Sequence, residues 1–187
     1  MSNIGLIGKE HNALLNWLLN TWMTGNSPVC FLEGFPGTGK TTIARALKEK
    51  VEADKQKPMT AVIITAPETE KDPTDDLLLD LATELSNKGR NELVKAIENN
   101  RPLLDVLSTI VQDRILIIID DFQRSMQGSR AMTLGGFAKV LTSLANRKRL
   151  KGRILLLTSV RPKTRVLYNV SSFYSVRCFI FFEAQKF

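Results

Sequence analysis

The sequence predicts an α/β protein built on a mostly parallel sheet of five strands, or four if the tail is not a strand, with helices on both faces. Three observations carry this reading. Unbroken apolar runs recur at residues 29–32, 61–64, 115–119 and 154–157. The segments between them carry apolar residues at helical spacing. None of the runs alternates with polar residues, as a half-exposed strand would; a continuous run marks a strand buried on both faces, the habit of parallel sheets.

Taken in order, residues 11–22 read as a helix, with Leu14, Leu15, Leu18, Leu19 and Trp22 on one face. Gly25, Asn26, Ser27 and Pro28 break it before the first strand. A second helix follows the glycine-rich segment after that strand, marked by Ile43, Ala44, Ala46, Leu47 and Val51. The β-branched run 61–64 is the second strand. Asp72 and Pro73 form a helix start, an N-cap followed by proline at the first helical position, and Gly89 ends that helix. Shorter helices are expected at 92–98 and 103–111. The third strand, 115–119, runs into Asp120 and Asp121. Phe137, Val140, Leu141 and Leu144 mark another helix, and the fourth strand closes on Thr158 and Ser159. In the tail, 171–176 is polar and irregular, whereas 178–182 is apolar and offers either a fifth strand or a truncated end.

The bulk numbers are compatible with this. A chain of 187 residues suits one domain. Its 26 lysines and arginines exceed its 19 acidic residues, a net charge of +7 that permits an anionic partner, either a nucleotide or a nucleic acid. The two cysteines, Cys30 and Cys178, form no metal-binding spacing, so no zinc site is expected and both are read as reduced thiols of a cytoplasmic protein. The start lacks the pattern of a signal peptide, and no apolar run approaches the ~20 residues that span a bilayer, so no membrane partner is expected.

The strongest chemical signal lies between the first strand and the second helix. Gly34, Phe35, Pro36, Gly37, Thr38, Gly39, Lys40 and Thr41 match G-x-x-x-x-G-K-[ST] in full, followed by Thr42. The glycines let the backbone wrap around phosphates and adopt positive φ. Successive N–H groups then form an anion nest, supplemented by the positive end of the helix that begins near Lys40. Lys40 is expected to reach the β- and γ-phosphates of a nucleotide, and the Thr41 hydroxyl to ligate Mg²⁺. Asp120 ends a strand whose carboxyl end should share an edge with this loop, and is the candidate second Mg²⁺ ligand. Asp121 is the candidate group that orients the attacking water or accepts its proton. Arg161 has two readings of equal weight, a charge stabiliser near the γ-phosphate or a surface arginine before Pro162. The cluster Arg147, Lys148, Arg149, Lys151 and Arg153 is read as a solvated helix end in preference to a nucleic-acid patch. His11, the only histidine, is read as exposed and inert.

The loop, the double aspartate of the third strand and the fourth strand together resemble the additional-strand class of P-loop ATPases, in which the strand after the Walker B aspartate is inserted between the Walker A and Walker B strands. Within that class the chain is most similar to STAND ATPases of the NB-ARC and NACHT type, and next to AAA+ ATPases. The resemblance covers about residues 5–162. It implies ATP rather than GTP, and it makes Ile7 and Gly8 candidate contacts to the base. Two departures stand out: Val160 separates Arg161 from Thr158-Ser159, and Asp121 stands where AAA+ proteins usually carry glutamate. The residues after Arg161 are too few for the helical lid of either family. The function expected is an ATP-binding switch with low intrinsic hydrolysis, associating with itself or a partner protein. The alternatives are an AAA+ ATPase assisting DNA replication or transposition, or a nucleotide-binding module without significant hydrolysis. A small-molecule phosphotransferase would need a lid and a second pocket that the sequence does not display.

Overall fold

An apolar run buried on both faces needs two helical layers, and the chain supplies them. In a computed structural model that describes residues 8–67, 73–99, 103–126, 150–159 and 174–177, the strands expected at 29–32, 61–64, 115–119 and 154–157 all form. The elements run α1 (Lys9–Trp17), β1 (Val29–Glu33), α2 (Lys40–Ala53), β2 (Thr60–Thr65), α3 (Pro73–Asn87), α4 (Asn91–Glu98), α5 (Leu103–Gln112), β3 (Ile115–Asp120), β4 (Arg153–Thr158) and β5 (Tyr174–Arg177). Among the described residues the sheet has five strands in the order β2-β3-β4-β1-β5, and each neighbouring pair is parallel. β4 therefore lies between β1 and β3, the insertion that the additional-strand resemblance implies.

Period-two geometry divides each run between two cores. Val29 and Phe31 of β1, with Ile115, Ile117 and Ile119 of β3, face α3, α4 and α5. Cys30 and Leu32 of β1, with Leu116 and Ile118 of β3, face α1 and α2. The Cys30 thiol is buried and desolvation pushes its pKa up to about 12, so it behaves as a small core residue.

The expected helix over 11–22 is α1 continued by a π turn, Leu18–Trp22, in which the Met23 N–H reaches back to the Leu18 carbonyl at 2.9 Å. The wider turn leaves Leu18 and Trp22 both in the core. α3 begins at Pro73 and stops where expected: Gly89 takes φ of 71°, and the Arg90 and Gly89 N–H groups return to the Leu85 and Ser86 carbonyls. That double bond is the Schellman stop that favours glycine.

Two expectations are corrected. Residues 174–177, mostly within the stretch that looked irregular, form a fifth strand, Tyr174–Arg177, while the apolar run 178–182 lies outside the described residues. Parallel pairing with β1 makes it a strand, from Cys30 opposite Tyr174 to Glu33 opposite Arg177, and main-chain hydrogen bonds need no apolar pattern. Arg153 is no part of a solvated helix end. It opens β4, is 6% exposed, and donates to the carbonyls of Leu150, Gly152, Met23 and Gly25 at 2.7–3.0 Å. Burial, with a smaller effect of the Arg114 charge, lowers its pKa from the ordinary value. Carbonyl oxygens replace water around its two terminal nitrogens, whereas the buried Nε has no hydrogen-bond partner among the described residues. Arg147, Lys148, Arg149 and the helix expected near 137–144 lie outside the described residues.

Just before Arg153, the chain passes so close to the start of β3 that a side chain has no room. A Cβ on Gly152 would lie 2.7 Å from both the Ile115 carbonyl oxygen and the Val111 Cα, and 2.9 Å from the Asp113 carbonyl oxygen. All three are main-chain atoms that cannot rotate aside. Gly152→Ala is expected to lower the unfolding free energy by about 1–3 kcal/mol, read from urea denaturation.

Candidate functional site

The parallel order places the carboxyl ends of β1, β4 and β3 side by side, and each ends on a polar residue. β1 feeds directly into the glycine-rich loop. The Gly34 N–H donates to the Thr158 carbonyl at 3.1 Å, so the base of the loop is an extension of the β1–β4 ladder. Thr38 folds the loop back, its N–H and hydroxyl both reaching the Phe35 carbonyl at 3.3 and 2.8 Å. Gly37 and Gly39 each take φ of 80°, the left-handed region that glycine enters without a Cβ clash. Phe35, Pro36 and Gly37 are exposed at the tip.

Gly39 precedes the first residue of α2, and no side chain caps that helix start. Its first-turn N–H groups thus face the loop with the positive end of the helix dipole. The Lys40 ammonium folds over the loop and donates to the Gly34 and Phe35 carbonyls at 2.8 and 2.9 Å. Thr41 comes next, and its hydroxyl donates to Asp120 Oδ2 at 2.8 Å, although 79 residues separate the two. The two residues expected to share a cation are therefore in direct contact. Thr42 follows as an exposed residue of the same turn.

The acidic pair divides its work. Asp120 Oδ1 accepts the Asp121 N–H at 2.8 Å, leaving Oδ2 to Thr41. Asp121 leaves the strand with φ of 52°, a left-handed conformation that aspartate tolerates better than most residues. Both of its oxygens have partners: Gln123 Nε2 donates to Oδ1 at 2.9 Å, and Arg124 pairs with Oδ2 at 3.0 Å. Gln123 is buried, and its other amide atom, Oε1, accepts the Ser159 N–H at 3.0 Å. One side chain thus ties the second aspartate to the end of β4. The Ser159 hydroxyl is itself buried and has no hydrogen-bond partner among the described residues.

Sequence reasoning named the loop and both aspartates but missed Gln123, Arg124 and the place of His11. Gln123 and Arg124 stand in the 3-10 turn Phe122–Met126 right after the acidic pair, where any polar residue is within reach of Asp121. His11 is not an exposed bystander: it is half-buried on α1, and its Nε2 lies 3.0 Å from the Thr38 carbonyl oxygen. The signal was available, because His11 precedes the buried Leu14 and Leu15 by three and four residues and so shares their helix face. Gly8 stands at the start of α1, one turn from His11, its carbonyl accepting the Asn12 N–H. Ile7 and Arg161 lie outside the described residues.

A family model described as an AAA domain matches residues 24–159, a span that holds the loop, both aspartates and the end of β4. The chain belongs to the AAA domain family. The motifs alone ranked STAND ATPases first and AAA+ second; the match reverses that order. No curated protein matches the chain. Among solved structures, this AAA domain is similar to the ORC2 protein of Aeropyrum pernix in ADPNP–ADP complexes, at 21% identity and a TM-score of 0.57 over 90% of this chain and 46% of that one. It is similar to the Drosophila ORC bound to DNA, at 19% identity and a TM-score of 0.63 over 94% of this chain and 44% of that one. It also resembles a Walker-type ATPase of Pyrococcus abyssi, at 15% identity and a TM-score of 0.53 over 87% of this chain and 47% of that one. The AAA domain thus spans less than half the length of each of these neighbours, and likeness at such identities establishes the P-loop fold. No described helix is long and apolar enough to cross a membrane.

Proposed function

We propose that this AAA domain binds ATP with Mg²⁺ in the loop of residues 34–41, hydrolyses it slowly, and acts as a nucleotide-dependent switch. The observation that carries the reading is the 2.8 Å contact between Thr41 and Asp120, immediately beside Lys40. A hydroxyl and a carboxylate oxygen are hard donors of the kind Mg²⁺ takes, and Mg²⁺ commonly uses only one or two protein ligands alongside water and phosphate. When bound, the ion neutralises charge on the β- and γ-phosphates.

The residues of the chain do the remainder. The loop amides and the first turn of α2 receive the phosphates. Lys40 exchanges the Gly34 and Phe35 carbonyls for phosphate oxygens, trading neutral acceptors for anionic ones. Asp121 positions the attacking water. Each of its oxygens accepts one partner, Gln123 or Arg124, and keeps a lone pair with which to hold that water. Slow turnover is expected of the isolated chain, because an arginine that stabilises transition-state charge often comes from a partner. Since Gln123 also holds the Ser159 N–H, a change at Asp121 is transmitted to the end of β4, which supports the switch reading. Self-association or a partner protein would supply further groups to the site.

Of the two switch families, the AAA+ reading is favoured over the STAND one, because the matching family model is an AAA domain. A role beside DNA is the second reading, supported by the net charge of +7 and by neighbours that include an ORC bound to DNA.

Three outcomes are expected. Lys40→Ala abolishes binding of a fluorescent ATP analogue at micromolar concentrations; undiminished binding would refute the site. Asp121→Asn keeps that binding and loses most phosphate release, whereas unchanged turnover would show that another group positions the water. Binding to duplex DNA, followed by gel shift, weakens steeply as salt rises; no shift at low salt removes the second reading.

A further inference from the structure

α1 lies ahead of the span that the family model matches, yet it touches the phosphate loop through one side chain. His11 Nε2 is 3.0 Å from the Thr38 carbonyl oxygen. A carbonyl oxygen carries no proton, so Nε2 is the donor. The ring also lies against the next residue: a Cβ on Gly39 would come within 2.7 Å of His11 Nε2. His11 is held in this place by its own helix, since Leu14 and Leu15, one turn on, are buried against α2 and the sheet.

The consequence follows from the shape of a peptide group. The unit joining Thr38 to Gly39 is planar and trans, so its C=O and its N–H point to opposite sides. Fastening the Thr38 oxygen toward α1 sends the Gly39 N–H the other way. Gly39 needs such control more than most residues, because it has φ of 80° and glycine has a wide choice of backbone conformation.

We infer that His11 is a positioning residue of the phosphate loop: by holding the Thr38 carbonyl it aims the Gly39 N–H at an incoming polyphosphate, whatever base that polyphosphate carries. This rests on the reading of the loop as a polyphosphate site. His11 acts through the loop and touches neither the reacting atoms nor the base. Its contribution is preorganisation, so that the loop does not have to select one orientation of this peptide when the ligand arrives.

The test uses the full chain and three variants, each with its thermal unfolding recorded. His11→Ala removes ring and donor, His11→Phe keeps a ring against Gly39 without a donor, and His11→Gln keeps a donor without the ring. Affinity is measured for a fluorescent ATP analogue and, by displacement of that analogue, for Mg²⁺-tripolyphosphate, which has no base. His11→Ala and His11→Phe are expected to weaken both ligands about tenfold, the value of one well-placed hydrogen bond, and His11→Gln to stay within about threefold of the parent. Wild-type affinity in His11→Phe would overturn the inference, because the donor would then be dispensable. Weakening for the ATP analogue with tripolyphosphate unaffected would also overturn it, by moving His11 to the base. If the unaltered chain takes neither ligand, the polyphosphate reading of the loop falls and this inference with it; if the chain binds both and the variants bind equally well, only the role of His11 falls.

Discussion

The hydrogen bond between Thr41 and Asp120 depends on where β4 runs. Asp120 ends β3 and Thr41 stands in the first turn of α2, just beyond β1, and those two strands are not neighbours. β4 sits between them, bonded to each, and sets the spacing at which a hydroxyl on one side meets a carboxylate on the other. The same strand receives the Gly34 N–H at Thr158 and offers the Ser159 N–H to Gln123. Loop, first aspartate and second aspartate are thus referenced to a single central strand. Shifting its register by one residue would exchange the faces of Ile154, Leu155, Leu156 and Leu157 and disrupt both cores together, so packing holds the polar rim in place.

The two rims of the sheet handle polar groups differently. At the amino ends of the strands, Arg153 is enclosed by four main-chain carbonyls, and Arg90 reaches Asp113, Glu92 and Thr60. These are closed arrangements that join loops distant in sequence. At the carboxyl ends, partners are shared through single side chains: Lys40 on loop carbonyls, Gln123 between Asp121 and Ser159. Such pairings can be exchanged for a ligand without leaving a charge buried and unmatched. Parallel α/β sheets place ligands at this end, and the polar contacts here are the exchangeable ones.

Much of this was legible in the residues. The strands were, because an unbroken apolar run of four or five residues between turn signals has few other uses in a chain of this composition. The loop was, because its spacing is tied to a strand before it and a helix after it. The strand order was not contained in any local pattern; it came from resemblance, since inserting β4 is a property of tertiary pairing. β5 escaped because its pairing is made by main-chain atoms. Arg153 was misread because a basic cluster gives no sign of which member turns inward. His11 was misjudged by treating it as one polar residue among others, when its offset from Leu14 and Leu15 put it on the buried side. The families were ranked in the wrong order because Gly39-Lys40-Thr41-Thr42 and Asp120-Asp121 are short motifs shared across the class, whereas the match to an AAA domain draws on residues 24–159 together.

β1, which carries the loop, is bonded along both of its edges, to β4 on one side and β5 on the other. The loop is mounted on a beam clamped on two sides. A load along that beam must shear both ladders together, whereas a strand on an outer margin could peel away one bond at a time. Sliding β1 along its own axis would therefore break both ladders at once.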